Sequence, residues 1–158
     1  PFIDPGMEII VNPGEPIEVP NYPGPTYRFK PDSQSKWPNA LDSKGNAVDV
    51  STFGADDGTD GHIILGPMSK SSVTFRNSSL QTDITLEWDK KVFPYCWIWM
   101  VLGGIKAWPL WGRERLITIE PFSSPVISLT EAIEQDKALV LGAHQSVKSW
   151  VAFKLSDI

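Results

Sequence analysis

Cysteine is nearly absent. Cys96 is the only one among 158 residues, which excludes an internal disulfide framework and leaves no second thiol to complete a zinc site. Set inside YCWIWM, it is expected to be a small buried hydrophobe rather than a reactive thiol, with the cytoplasm as the default compartment. Histidine is almost as scarce: His62 and His144 are the two. Neither stands in an HxH or HExxH spacing, so no histidine-based metal centre is expected. Long apolar runs are missing as well. The longest, about Cys96 to Leu102, falls far short of the roughly 20 residues that span a bilayer, and no membrane partner is expected. Basic residues are outnumbered 14 to 19 by acidic ones, for a net charge of −5. They are scattered rather than gathered into a stripe that could follow a phosphate backbone, which argues against nucleic acid. Phosphate-loop, dinucleotide and nucleophile-elbow fingerprints are absent too; LGGIKAWPLWG holds glycines at the wrong spacing. No metal or organic cofactor is implied.

What remains is a β-rich chain with many prolines and aromatic residues. Its length suits one domain over residues 1–158 with a sizeable core. Nine of the fourteen prolines fall in residues 1–50, where PFIDPG, NPGEPIEVPNYPGP, FKP and WPN punctuate the chain. Loops and short edge strands such as MEIIV and PIEV are expected there rather than helix. FGADDGTDGHIILGP carries Asp56, Asp57 and Asp60, but the spacing fails the EF-hand pattern and reads as a solvated turn leading into a short strand over Ile63–Leu65.

The strand signal strengthens from residue 72. DITLEWD alternates as a strand with one wet face, and YCWIWMVL reads as a strand buried on both, with Tyr95, Trp97, Trp99 and Val101 on one side. ERLITIEPF is another strand and PVISL a short one. KALVL and SVKSWVAFKL are expected to pair as a terminal hairpin about GAHQ, which would leave His144 solvated in the turn. The single helical candidate is SLTEAIEQD, with Ser128 or Thr130 as its cap. No internal repeat or low-complexity tract interrupts the pattern. Short strands at near-regular spacing predict an all-β fold, an antiparallel sandwich or barrel.

Glu120 is the residue most in need of explanation, because it closes an apolar strand. Period two puts Leu116, Thr118 and Glu120 on one face and Arg115, Ile117 and Ile119 on the other. An exposed edge would account for the acid simply. Trp108, Trp111, Gly112 and Arg113 lead into the same strand, however, and aromatic faces beside a carboxylate suit the C–H face and hydroxyls of a sugar. Glu114 lies about 20 Å away along an extended strand, too far for the roughly 5–9.5 Å of paired glycosidase carboxyls. A glycosidase partner would have to come from elsewhere, for example Asp60. His62, beside Asp60, is the histidine whose tautomer and pKa a carboxylate could tune.

Three stretches together resemble the galactose mutarotase-like, aldose 1-epimerase-related proteins. They are PFIDPGMEIIVNP, then YCWIWMVLGG with WPLWGRERLITIEPFSSP, and LTEAIEQDKALVLGAHQSVKSWVAFKL. The resemblance implies a β-supersandwich of which this chain forms the C-terminal portion, with Glu120 as the base that takes the proton of the anomeric hydroxyl. It implies that Asp60 or His62 belongs to a substrate-binding turn, although Gly61 and a missing phenylalanine depart from the family pattern, and that Arg113 lies near sugar oxygens. The family's acid histidine and a second substrate-binding histidine fall upstream of Pro1. The chain is therefore expected to be part of a longer protein or a relative that binds without turnover. The partner implied is a small-molecule sugar. A carbohydrate-binding sandwich with Trp108, Trp111 and Arg113 as its platform is the alternative, and self-association is expected if another chain completes the sandwich.

Overall fold

Proline-punctuated segments followed by longer alternating ones give short strands first and long strands later. The computed structural model describes residues 6–22, 24–53 and 57–158. In chain order the elements are β1 (Met7–Ile10), β2 (Pro16–Glu18), β3 (Gln34–Lys36), β4 (Asn39–Leu41), β5 (Ala47–Asp49), β6 (Thr59–Leu65), β7 (Ser72–Asn77), β8 (Thr82–Trp88), β9 (Tyr95–Leu102), β10 (Arg115–Phe122), α1 (Leu129–Glu134) and β11 (Val151–Asp157). They form two antiparallel sheets, one ordered β1-β7-β8-β11 and the other β10-β9-β6-β2-β3-β4-β5. The chain is an all-β sandwich, as its alternation predicts.

The core lies between the sheets. Cys96, Ile98 and Met100 of β9, Ile117 of β10, and Ile63 and Leu65 of β6 form one side; Ile9, Val73, Phe75, Leu86 and Trp88 form the other. Each large apolar side chain so buried contributes about 1.5–3 kcal/mol. Trp88 keeps its polar handle satisfied, its indole N–H donating to the Phe93 carbonyl at 2.9 Å. Burial pushes the Cys96 thiol up, in keeping with a buried hydrophobe. The proline-rich first third is tied down by Glu15, which is 3% exposed. Its carboxylate accepts the Ser69 N–H at 2.9 Å and the Ser69 hydroxyl.

Three local expectations change. PVISL forms no strand, because Pro125 lacks a ladder donor and Ser128 instead caps α1, accepting the Glu131 N–H at 3.4 Å. KALVL forms none either. The open edge of β8 is taken by β11, and residues 139–150 run exposed outside both sheets, with a turn at Gly142–Gln145. The strand expected over Ile63–Leu65 begins earlier, at Thr59, so Asp60 and His62 lie on β6 rather than in a turn. Asp57 ends that turn by accepting the Thr59 N–H and hydroxyl at 3.0 and 2.5 Å. Residues 1–5 and Asp56 lie outside the described residues.

Candidate functional site

Strand register decides what surrounds Glu120. β10 pairs with β9, placing Glu120 opposite Trp97 and Thr118 opposite Trp99. β9 pairs with β6 on its other edge, placing Trp99 opposite His62 and Val101 opposite Asp60. Opposed residues of an antiparallel pair share a face, and Ile117, Ile98 and Ile63 already occupy the core face. Glu120, Thr118, Phe122, Trp97, Trp99, His62 and Asp60 therefore share the outer face of the seven-stranded sheet.

That face is a second apolar layer with polar groups set into it. The Trp97 and Phe122 rings stack at 5.1 Å, and the Trp97 indole N–H donates to the Ser124 carbonyl at 3.2 Å, so the chain after β10 folds back over it. His62 lies parallel to Trp99, with ring centroids 5.5 Å apart and 2° between planes. The edge of Tyr22 meets it at 5.8 Å. Glu120 is half-buried and held by its strand neighbour, Thr118 Oγ1 donating to Glu120 Oε1 at 2.9 Å. Glu120 and His62 stand two strands and two residues apart, or about 12 Å between Cα atoms at regular sheet spacings.

Burial holds the His62 imidazole below its ordinary 6.5, while Glu120 and Asp60 pull it back up. A neutral imidazole both donates and accepts, which suits hydroxyl recognition. His62 Nδ1 and Trp99 Nε1 are buried with no hydrogen-bond partner among the described residues. Asp60, 8% exposed, accepts the Thr26 hydroxyl at 2.6 Å. Tyr27 donates to the His62 carbonyl at 3.2 Å, and burial raises its hydroxyl pKa to about 12. A cavity of about 400 Å³ opens at the Asp60 end, between Tyr22, Thr26 and the loop 104–107, within the size range of small-molecule sites. A cavity of similar size, about 420 Å³, lies over β2 and β3 and touches none of the candidate residues.

Glycines set the spacing here. A Cβ on Gly61 would lie 2.6 Å from the Phe29 ring, so the residue separating Asp60 from His62 has to be small. A Cβ on Gly104 would lie 2.4 Å from the Thr59 carbonyl carbon. The loop after β9 can therefore sit against the start of β6, with the Gly104 N–H donating to Thr59 O at 3.1 Å.

The structure thus brings Glu120, His62 and Asp60 onto one face and sets Trp108, Trp111 and Arg113 away from Glu120, on the loop whose residues 104–107 line the cavity at Asp60. Those three stand on the β9–β10 loop, at the end of β10 opposite Glu120. Trp108 is 77% exposed and Trp111 58%. The aromatic wall beside the acid is Trp97, Trp99 and Phe122 instead. Alternation alone groups Trp97 with Trp99; placing them next to Glu120 and His62 takes the register of three strands, which no local pattern encodes. Thr118 and Tyr22 carry no sequence signal of their own. Comparison with known proteins finds no matching family model, no curated relative and no similar solved structure.

Proposed function

We propose that the outer face of the seven-stranded sheet binds a saccharide and that Glu120 is the base of an aldose 1-epimerase-like site, one portion of a larger supersandwich with a cytoplasmic home. The observation that carries this reading is a half-buried carboxylate, fixed by Thr118, on the same face as Trp97, Trp99 and His62. In this reading the indoles take the apolar face of a pyranose, while Asp60 and His62 take hydroxyls. Glu120 removes the proton of the anomeric hydroxyl as an acid outside these 158 residues protonates the ring oxygen. The C1–O5 bond opens, the C1–C2 bond rotates, and reclosure gives the other anomer. Positioned proton transfer of this kind contributes about 10²–10⁴ in rate.

The exposed Trp108 and Trp111 favour a second reading, a non-catalytic carbohydrate-binding sandwich with Arg113 beside that platform. Anomer exchange followed by saturation-transfer NMR separates the two on the protein that contains this chain. The expected result is acceleration by wild type that falls about 10²–10⁴-fold in Glu120→Gln. Equal, uncatalysed rates with sugar still bound would leave only the binding reading.

A further inference from the structure

Asp60 leaves one carboxylate oxygen without a protein partner. The residue is 8% exposed, and Oδ1 accepts the Thr26 hydroxyl at 2.6 Å. Oδ2 takes no hydrogen bond or ion pair among the described residues, nor is it sealed from solvent. Its opening is onto the cavity of about 400 Å³ that Asp60 helps to line. A carboxylate this far buried is costly unless a cation or several donors complete it, and Asp60 has one hydroxyl. The other groups nearby have little left to give it. Thr26 spends its proton on Asp60 itself, and Tyr27 spends its own on the His62 carbonyl at 3.2 Å. Tyr22, half-exposed, keeps a hydroxyl that donates or accepts. Lys106 is the one base on the lining, and it is turned elsewhere. Its ammonium donates to the Gly103 carbonyl at 2.7 Å and lies over Gly112, where a Cβ would come within 2.9 Å of Nζ.

We infer that the cavity at Asp60 is a subsite for a protonated amine, so that the sugar taken by the outer face is an amino sugar with its ammonium on Asp60 Oδ2. An ammonium brings donors and no acceptor, the complement of a free carboxylate oxygen beside a threonine oxygen whose proton is already engaged. A neutral hydroxyl supplies one donor and leaves the charge of Asp60 uncompensated. The Tyr22 and Tyr27 rings, 5.9 Å apart and tilted by 50°, flank the same cavity and add the attraction of aromatic surfaces for a cation. The sugar body rests on the reading above, in which Asp60 takes hydroxyls; the ammonium replaces one of these. The preference for a cation rests on Asp60, Thr26 and Lys106 alone.

NMR titrations at about pH 6.5, where an amine is protonated, test this with glucosamine, glucose and glucuronate, three pyranoses that are cationic, neutral and anionic. The backbone amides of Thr26, Tyr27 and Gly104 report on the cavity, and the Trp97 and Trp99 indoles on the face beside Glu120. Glucosamine should bind roughly tenfold more tightly than glucose, as a charge-assisted hydrogen bond exceeds a neutral one, and glucuronate more weakly than either. Asp60→Asn keeps the shape and an acceptor for Thr26 and should erase the advantage of glucosamine; the wild-type comparison decides even where that variant does not fold. Glucosamine bound no better than glucose, or glucuronate bound best, overturns the inference, and glucose shifts at Trp97 and Trp99 would then leave the saccharide reading standing. Glucosamine that shifts the three amides, with Trp97 and Trp99 unmoved by any of the sugars, upholds the subsite and contradicts the placement of the sugar on the indoles.

Discussion

At the scale of single residues, His62 is where the face can be tested without a ligand. Its neutral form is favoured in the fold by burial, against the upward pull of Glu120 and Asp60. On unfolding it returns toward 6.5, so between the folded value and 6.5 the unfolded chain binds more protons. The stability contributed by neutral His62 is therefore complete above about pH 6.5 and is lost as pH falls through the lower, folded value. Glu120→Gln removes one of the two upward pulls. The NMR titration midpoint of His62 should move further down in that variant, and a midpoint that stays or rises would contradict the shared face. Cys96 and Glu120 mark what single residues reveal in the sequence. The thiol's burial follows from its apolar neighbours, and the acid is conspicuous because it ends an apolar strand. Thr118 reads as an ordinary strand threonine until its hydroxyl is seen on Glu120 Oε1.

At the scale of elements, legibility follows pairing. β8, β9 and β10 are plain in the sequence because alternation and β-branched or aromatic residues define a face before any partner is known. KALVL has the same local character and forms no strand: β11 pairs with β8, and residues 139–141 run exposed outside both sheets. β6 extends back through Asp60 and His62, the polar end of the expected turn, because Gly58 donates to the Leu102 carbonyl at 2.9 Å and Gly104 fits against Thr59. That close approach yields a prediction. Gly104→Ala has to push the β9–β10 loop off β6 and should cost about 1–3 kcal/mol, as overpacking does, measured by urea denaturation. A change within a few tenths of a kcal/mol would mean that the loop is not seated there.

At the scale of the whole molecule, a sandwich with a well-filled middle has unequal margins. Between the sheets the apolar packing is continuous. At the β11 edge one apolar face lies bare, and on the outside of the larger sheet a carboxylate, an imidazole and two indoles converge. The all-β class is readable from patterning alone, because period two survives any arrangement of strands. The position of the site is not, because it depends on which strands become neighbours: residues 60–62, 97–99 and 118–120 are far apart in the chain and adjacent only through the β10-β9-β6 order. No helix among the described residues is long and apolar enough to cross a membrane.

The account stands on saccharide contact at that convergence, and ¹H–¹⁵N NMR of the tryptophan indoles during titration with a free aldose tests it most directly. The seven tryptophans report on separate places: Trp37 and Trp88 on the core, Trp108 and Trp111 on the loop, Trp150 on the β11 arm, and Trp97 and Trp99 on the proposed face. Saturable shifts of the Trp97 and Trp99 indoles, with Trp37 and Trp88 unmoved, are the predicted result. Shifts confined to Trp108 and Trp111, or none at saturating sugar, would contradict it.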